Sequence, residues 1–206
     1  SDRLKMKYDI DNVIILPTPL GKNFIINKKE EDFHLPRNGI NFIFPANFSP
    51  HKNFEILLPL AELIFEKGLP FRIIITLDEI SANNFLKIIK KYLGSVIINV
   101  GMVTQNQIPS LYKQCDVLFF PSLLESYGLP YLEAMALGKP IITSDLDFAR
   151  EMCGEIAYYF NPFDTKSILS KMEELNVNKS LRNEKIIKGK NKFRQYPTWE
   201  ELYIEF

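Results

Sequence analysis

A surplus of charge of either sign is missing from this sequence. Its 206 residues carry 25 Lys plus Arg against 25 Asp plus Glu, so the net charge is zero. A balanced chain has no general attraction for nucleic acid or anionic membrane. Nucleic acid is therefore not an expected partner. Cysteine is scarce too, with only Cys115 and Cys153. They form no C-x-x-C pair and have no histidine-rich neighbourhood. This speaks against a disulfide framework or a thiolate metal site, and two free thiols fit a reducing cytoplasm. Long apolar runs are also lacking. The longest, ILLPLAELIF at 56 to 65, is broken by Pro59 and Glu62 and is too short to span a bilayer. The amino terminus lacks the apolar centre of a signal peptide. Cytoplasmic location with no transmembrane segment is the expectation. The chain opens on Ser1 rather than Met, which reads as a piece cut from a longer protein.

What is present is a chain able to fold. Hydrophobic residues make up 46% of it, and the length suggests one domain with an added element. Six short apolar runs recur: FIFPA (42 to 46), FRIIIT (71 to 76), SVIINV (95 to 100), DVLFFP (116 to 121), KPIITS (139 to 144) and IAYYF (156 to 160). They are rich in Ile, Val and Phe and hardly alternate, as strands buried on both faces do. Helical patterns separate them. Residues 53 to 67 place Phe54, Leu57, Leu58, Ala61, Ile64 and Phe65 on one face, with Pro59 expected to kink or split the helix. Residues 82 to 93 do likewise with Phe85, Ile88, Ile89 and Leu93. Thr104 and Gln107 have the spacing of a capping box for a third helix. Gly68, Gly94, Gly138 and Gly154 stand where helices would stop. The alternation predicts a Rossmann-like, doubly wound parallel sheet with helices on both faces.

Two ends lie outside that core. VIIL at 13 to 16 is one short strand candidate. Residues 164 to 195 read as two helices, and YPTWEELYIEF restarts as a helix after Pro197. The basic cluster Lys185, Lys188, Lys190, Lys192 and Arg194 reads as a solvated helical face. The competing reading for it is contact with a membrane surface or an anionic partner.

Ligands of open α/β sheets bind beyond the carboxyl ends of the strands. Just past those ends this chain places NFSPHKN with His51 and Lys52, GMVT from Gly101, SLLESYG, and SDLD. SYGLPYLEAM is a loop feeding a helix with Pro130 in its first turn, a favoured position. Free amides near Tyr127, Gly128 and Leu129 would sit at a positive helix end, which suits phosphate. Lys52 suits an anion there, against the bland reading of a surface lysine. A carboxylate at Glu133 would repel phosphate but can accept from two hydroxyls, such as a ribose diol. Glu125 can do the same for sugar hydroxyls. Taken alone, either glutamate reads as an ordinary loop or helix charge.

The stretch P-S-L-L-E-S-Y-G-L-P-Y-L-E-A-M-A-L-G-K-P-I-I, from Pro121, resembles the signature of glycosyltransferase family 4, the group 1 glycosyl transferases of GT-B fold. The E-x7-E spacing is intact. FSPHKN and NVGMV followed by IPSLYKQCDVLFFPS support the resemblance, which covers residues 42 to about 175 well. VIILPTPLG resembles the linker into that family's carboxyl-terminal domain, and YPTWEELY its closing helix. The resemblance implies a linker at 1–20 from an absent N-terminal domain, a nucleotide-sugar-binding Rossmann-like domain at 21–195, and a helix at 196–206 crossing back. This would be one half of a GT-B fold. It also implies roles. Glu133 would hold the ribose. Glu125, with Ser126, Tyr127, Gly128 and Leu129, would meet donor sugar and diphosphate, and Lys52 the diphosphate. Gly101, Met102 and Val103 would pair with the base. Asn47 stands where the family usually has an arginine, and His51 is placed to share that role.

The function implied is donor binding in a retaining glycosyltransferase acting on a glycan or lipid acceptor, in cell-surface polysaccharide or lipopolysaccharide synthesis. The donor would be a UDP- or GDP-sugar, with no metal and no cofactor. The acceptor would come through the absent domain, and peripheral contact at the inner membrane face is compatible. The alternative is a non-catalytic α/β nucleotide- or sugar-binding module that keeps the fold. A third reading, an epimerase or phosphorylase of GT-B fold, lacks a motif for a lysine-linked cofactor.

Overall fold

The computed structural model describes residues 18–21, 24 and 30–205. The strand candidate at 13 to 16 lies outside them. The six apolar runs form β1 (Ile40–Phe44), β2 (Phe71–Ile75), β3 (Ile97–Asn99), β4 (Val117–Phe120), β5 (Ile141–Ser144) and β6 (Tyr158–Phe160). Every pairing is parallel, and the order is β3-β2-β1-β4-β5-β6. The strands are near-continuously apolar because helices cover both faces. Phe42, Ile43 and Phe44 of β1 and Leu118, Phe119 and Phe120 of β4 are fully buried.

The connecting helices are α1 (Leu57–Glu66), α2 (Asn83–Ile88), α3 (Ile108–Gln114), α4 (Leu129–Ala136) and α5 (Asp147–Cys153). Then come α6 (Thr165–Val177), α7 (Lys179–Phe193) and α8 (Trp199–Glu205). Strand order moves outward one way through β1, β2 and β3, and the other way through β4, β5 and β6. Right-handed crossovers therefore put α1 and α2 on one face and α3, α4 and α5 on the other. The last helices close both layers, α6 packing on α1 and α7 on α4. Phe54 binds β1 to the first layer, its ring stacked on Phe44 at 4.5 Å.

Several details differ from the periodicity. The 53 to 67 stretch splits: Phe54–Ile56 is a 3-10 turn, and α1 starts at Leu57 with Pro59 in its first turn, where no helical donor is lost. Phe65 and Ile88 were expected on buried faces but are 54% and 62% exposed. Helix α2 stops at Ile88 and a 3-10 turn, Lys90–Tyr92, follows, which rotates the apolar stripe. Half of the capping box forms, since Gln107 Oε1 accepts from Thr104 N at 2.7 Å. The Thr104 hydroxyl bonds to that same side chain, and α3 begins only at Ile108.

The basic cluster is a solvated face only in part: Lys188, Lys190 and Arg194 are exposed, while Lys185 and Lys192 are half-buried. Lys185 Nζ donates to the carbonyls of Glu155 and Ala157, and Lys192 Nζ to that of Met152. Lys188 pairs with Glu155 and Glu184, and Lys190 lies across Gly138. These lysines fasten α7 to the carbonyl ends around α5, which the sequence pattern alone does not reveal. No helix among the described residues is long and apolar enough to cross a membrane.

Candidate functional site

Strand order reverses between β1 and β4, and the loops leaving those two strands meet there. After β1, Pro50–Lys52 makes a 3-10 turn ended by Asn53 at φ +60°. Lys52 therefore does not open an α-helix, as its position before the 53 to 67 stretch suggested. Asn tolerates the left-handed region better than most side chains. Its amide, 8% exposed, donates to Pro121 O at 3.2 Å and Pro162 O at 2.9 Å. Leu123 N donates to His51 O at 2.7 Å, and Ser122 Oγ lies 3.1 Å from the same oxygen. The two loops are thus sewn together by main-chain and buried side-chain bonds.

This stitching brings Lys52 and Glu125 together from positions 73 apart in sequence. Lys52 Nζ lies 2.6 Å from Glu125 Oε1, and their side chains are only 17% and 10% exposed. Ser122 Oγ donates to the same carboxylate oxygen at 2.5 Å. The ammonium also sits over the Phe120 ring, 5.2 Å from its centre. The site thus has a cation and a carboxylate side by side, largely withdrawn from water and held by one serine.

The chain then runs through Ser126 and Tyr127 to Gly128, the residue before α4. Gly128 has φ +78°, and a Cβ there would meet Tyr131 Cδ2 at 2.6 Å, so glycine is required twice over. Pro130 is the second helical residue rather than the first. The amides of Ser126, Tyr127, Gly128 and Leu129 make no hydrogen bond among the described residues. They are donors at a positive helix end. The Tyr127 hydroxyl accepts from Thr18 N at 3.0 Å.

Glu133 lies one turn further along α4 and is half-buried. Burial pushes its carboxyl up to about 7, and hydrogen bonding from Tyr112 opposes that rise. Tyr112 is fully buried on α3, and its hydroxyl also lies 3.2 Å from Pro130 O. Gly101, Met102 and Val103 lie past β3, two strands from β1, or about 10 Å along the same edge. Gly101 has φ +76° and its N–H bonds Asn99 Oδ1 at 3.3 Å, while Met102 is 76% exposed. Asn47 and the His51 side chain are exposed on the β1 loop.

The structure brings Lys52, Glu125 and the Gly128 turn to one switch point. It keeps Gly101 to Val103 at a distance along the same edge. Residue-by-residue reading missed Ser122, Asn53 and Tyr112, which hold the others in place. Asn53 had a signal: after glycine, Asn is among the residue types that most readily take positive φ.

Fold and edge together define a doubly wound α/β domain with charged and polar residues gathered at its topological switch point. The family comparison narrows this. Residues 26–192 match the model of glycosyl transferases group 1, and the chain belongs to that family. It is 27% identical over 177 residues to the serotype-specific mannosyltransferase WbdA of Escherichia coli, covering 80% of this chain and 22% of that protein. It is 24% identical over 176 residues to the O-antigen chain mannosyltransferase RfbU of Salmonella typhimurium, covering 84% and 48%. A glycosyltransferase from Rickettsia africae has the same fold, with a TM-score of 0.80, 16% identity, and 99% of this chain and 58% of that one covered. The chain spans about half or less of the length of these curated relatives.

Proposed function

We propose that this chain is the donor-binding half of a retaining glycosyltransferase that builds cell-surface polysaccharide. The observation that carries the reading is the Lys52–Glu125 pair at the β1/β4 switch, beside four amides at the start of α4 that make no hydrogen bond among the described residues. A nucleoside diphosphate sugar spans the edge. Its base lies by Gly101 to Val103, its ribose at Glu133, its diphosphate at Lys52 and the Gly128 turn, and its sugar at Glu125. Family membership and the names of the relatives favour a sugar nucleotide and a glycan acceptor. The family resemblance is the ground for retention of configuration.

The chemistry asked of this half is positioning and charge stabilisation. As the glycosidic bond to the diphosphate breaks, negative charge builds on the leaving oxygen. The α4 amides stand at that position, and the Lys52 ammonium joins them once the donor takes the place of Glu125 beside it. The acceptor would approach from a second domain, with α8 reaching toward it.

The loop after β1 also favours a second reading. Asn47 offers no charge where the resembling family carries arginine, and a module that binds but does not transfer would tolerate that loss. In either case, calorimetric titration with UDP and GDP should give heat. Glu133→Ala should abolish it while leaving the melting temperature within a few degrees. Turnover of a UDP- or GDP-sugar by the full-length protein separates the two readings.

A further inference from the structure

Tyr131 stands outside every role assigned so far, yet three structural observations converge on it. Its ring is fully buried and lies directly under Gly128, with Cδ2 and Cε2 2.6 and 2.8 Å from where a Cβ would be. Its hydroxyl is tied to Thr143 Oγ1 of β5 at 2.7 Å, and that hydroxyl donates to Phe120 O at the end of β4 at 2.9 Å. Its ring meets Phe120 edge-on at 5.1 Å between centres, and Phe120 in turn carries the Lys52 ammonium on its face.

We infer that Tyr131 is a positioning residue that sets the Gly128 turn and the Lys52 ammonium in one register for the outer phosphate of a nucleoside diphosphate. This rests on the donor-binding reading above. The ring is a floor that fixes how far the turn can sink toward the sheet. The Thr143 hydroxyl anchors that floor to the two strands flanking the turn. Through Phe120 the same side chain shapes the surface on which Lys52 rests. A smaller aliphatic residue would fill the core but leave the turn without a flat support. The amides of Gly128 and Leu129 and the Lys52 ammonium would then lose their shared alignment.

The consequence is selective. A nucleoside monophosphate lacks the outer phosphate and depends on Glu133 and the β3 loop, which Tyr131 does not support. Titration of UDP and UMP, and of GDP and GMP, into wild type, Tyr131→Leu and Tyr131→Phe tests this. In Tyr131→Leu the diphosphate should bind about tenfold more weakly, the equivalent of one lost charge-assisted contact, with monophosphate affinity unchanged. Tyr131→Phe keeps the floor and loses the anchor. It should bind the diphosphate about two- to threefold more weakly with monophosphate affinity unchanged, and this partial, selective loss reports the role if the leucine variant does not fold. Equal loss for mono- and diphosphate in the leucine variant, or no loss in either variant, overturns the inference and leaves Tyr131 as core packing. If wild type binds no nucleoside diphosphate while folded, the donor reading falls and this inference with it.

Discussion

At the residue scale, the Lys52 and Glu125 charges satisfy each other at 2.6 Å with little water around them. A diphosphate that takes the ammonium must displace the Glu125 carboxylate from it. That carboxylate then becomes free to accept from sugar hydroxyls. Sugar-free diphosphate offers no such hydroxyls, so Glu125 competes with it. Glu125→Gln should therefore bind UDP or GDP about three- to tenfold more tightly than wild type and lose its preference for the sugar-bearing form. Calorimetry with both ligands checks this, and weaker binding of the sugar-free form would contradict the exchange. Glu133 gives a separate prediction from its raised carboxyl. Below the unfolded value of about 4.5 both states are protonated and burial costs nothing. As pH rises toward 7 the unfolded chain ionises first, so stability is lost across that window and is flat above it. Glu133→Gln should be more stable than wild type by about 1–3 kcal/mol at pH 8, the gap closing toward pH 4.5. Urea midpoints across that range measure it.

At the element scale, the turn ending in Asn53 decides whether the β1 loop reaches the β4 loop. Asn53 combines a positive φ with two buried hydrogen bonds. Asn53→Gly keeps the backbone and loses the bonds, whereas Asn53→Ala loses both. The alanine variant should cost about 2–4 kcal/mol and the glycine variant about 1–2, read from denaturant midpoints. Equal costs would mean that the left-handed turn contributes nothing. The strands were legible in sequence because burial on both faces leaves an unbroken apolar run. Helix faces were less so. A split at Leu57 and a stop at Ile88 each rotate the stripe, which is why Phe65 and Ile88 face solvent. The two glutamates and Lys52 stood out by type and spacing. Ser122, Tyr112 and Tyr131 did not, because a support residue is defined by contacts that only folding creates. The lysines of α7 were unreadable for the same reason: their carbonyl partners lie 28 to 40 positions away in sequence.

At the scale of the whole molecule, one sheet edge carries every residue proposed to meet the donor. The loops after β1 and β4 meet at the reversal, and the β3 loop lies two strands further along the same edge. That arrangement depends on the parallel order β3-β2-β1-β4-β5-β6. The central claim is that this edge holds a nucleoside diphosphate. Calorimetric titration of UDP and GDP into the folded 206-residue chain tests it most directly. Saturable heat with at least one of them, weakened about tenfold or more by Lys52→Met, is the predicted result. No heat with either, from a chain that still melts cooperatively, would contradict it.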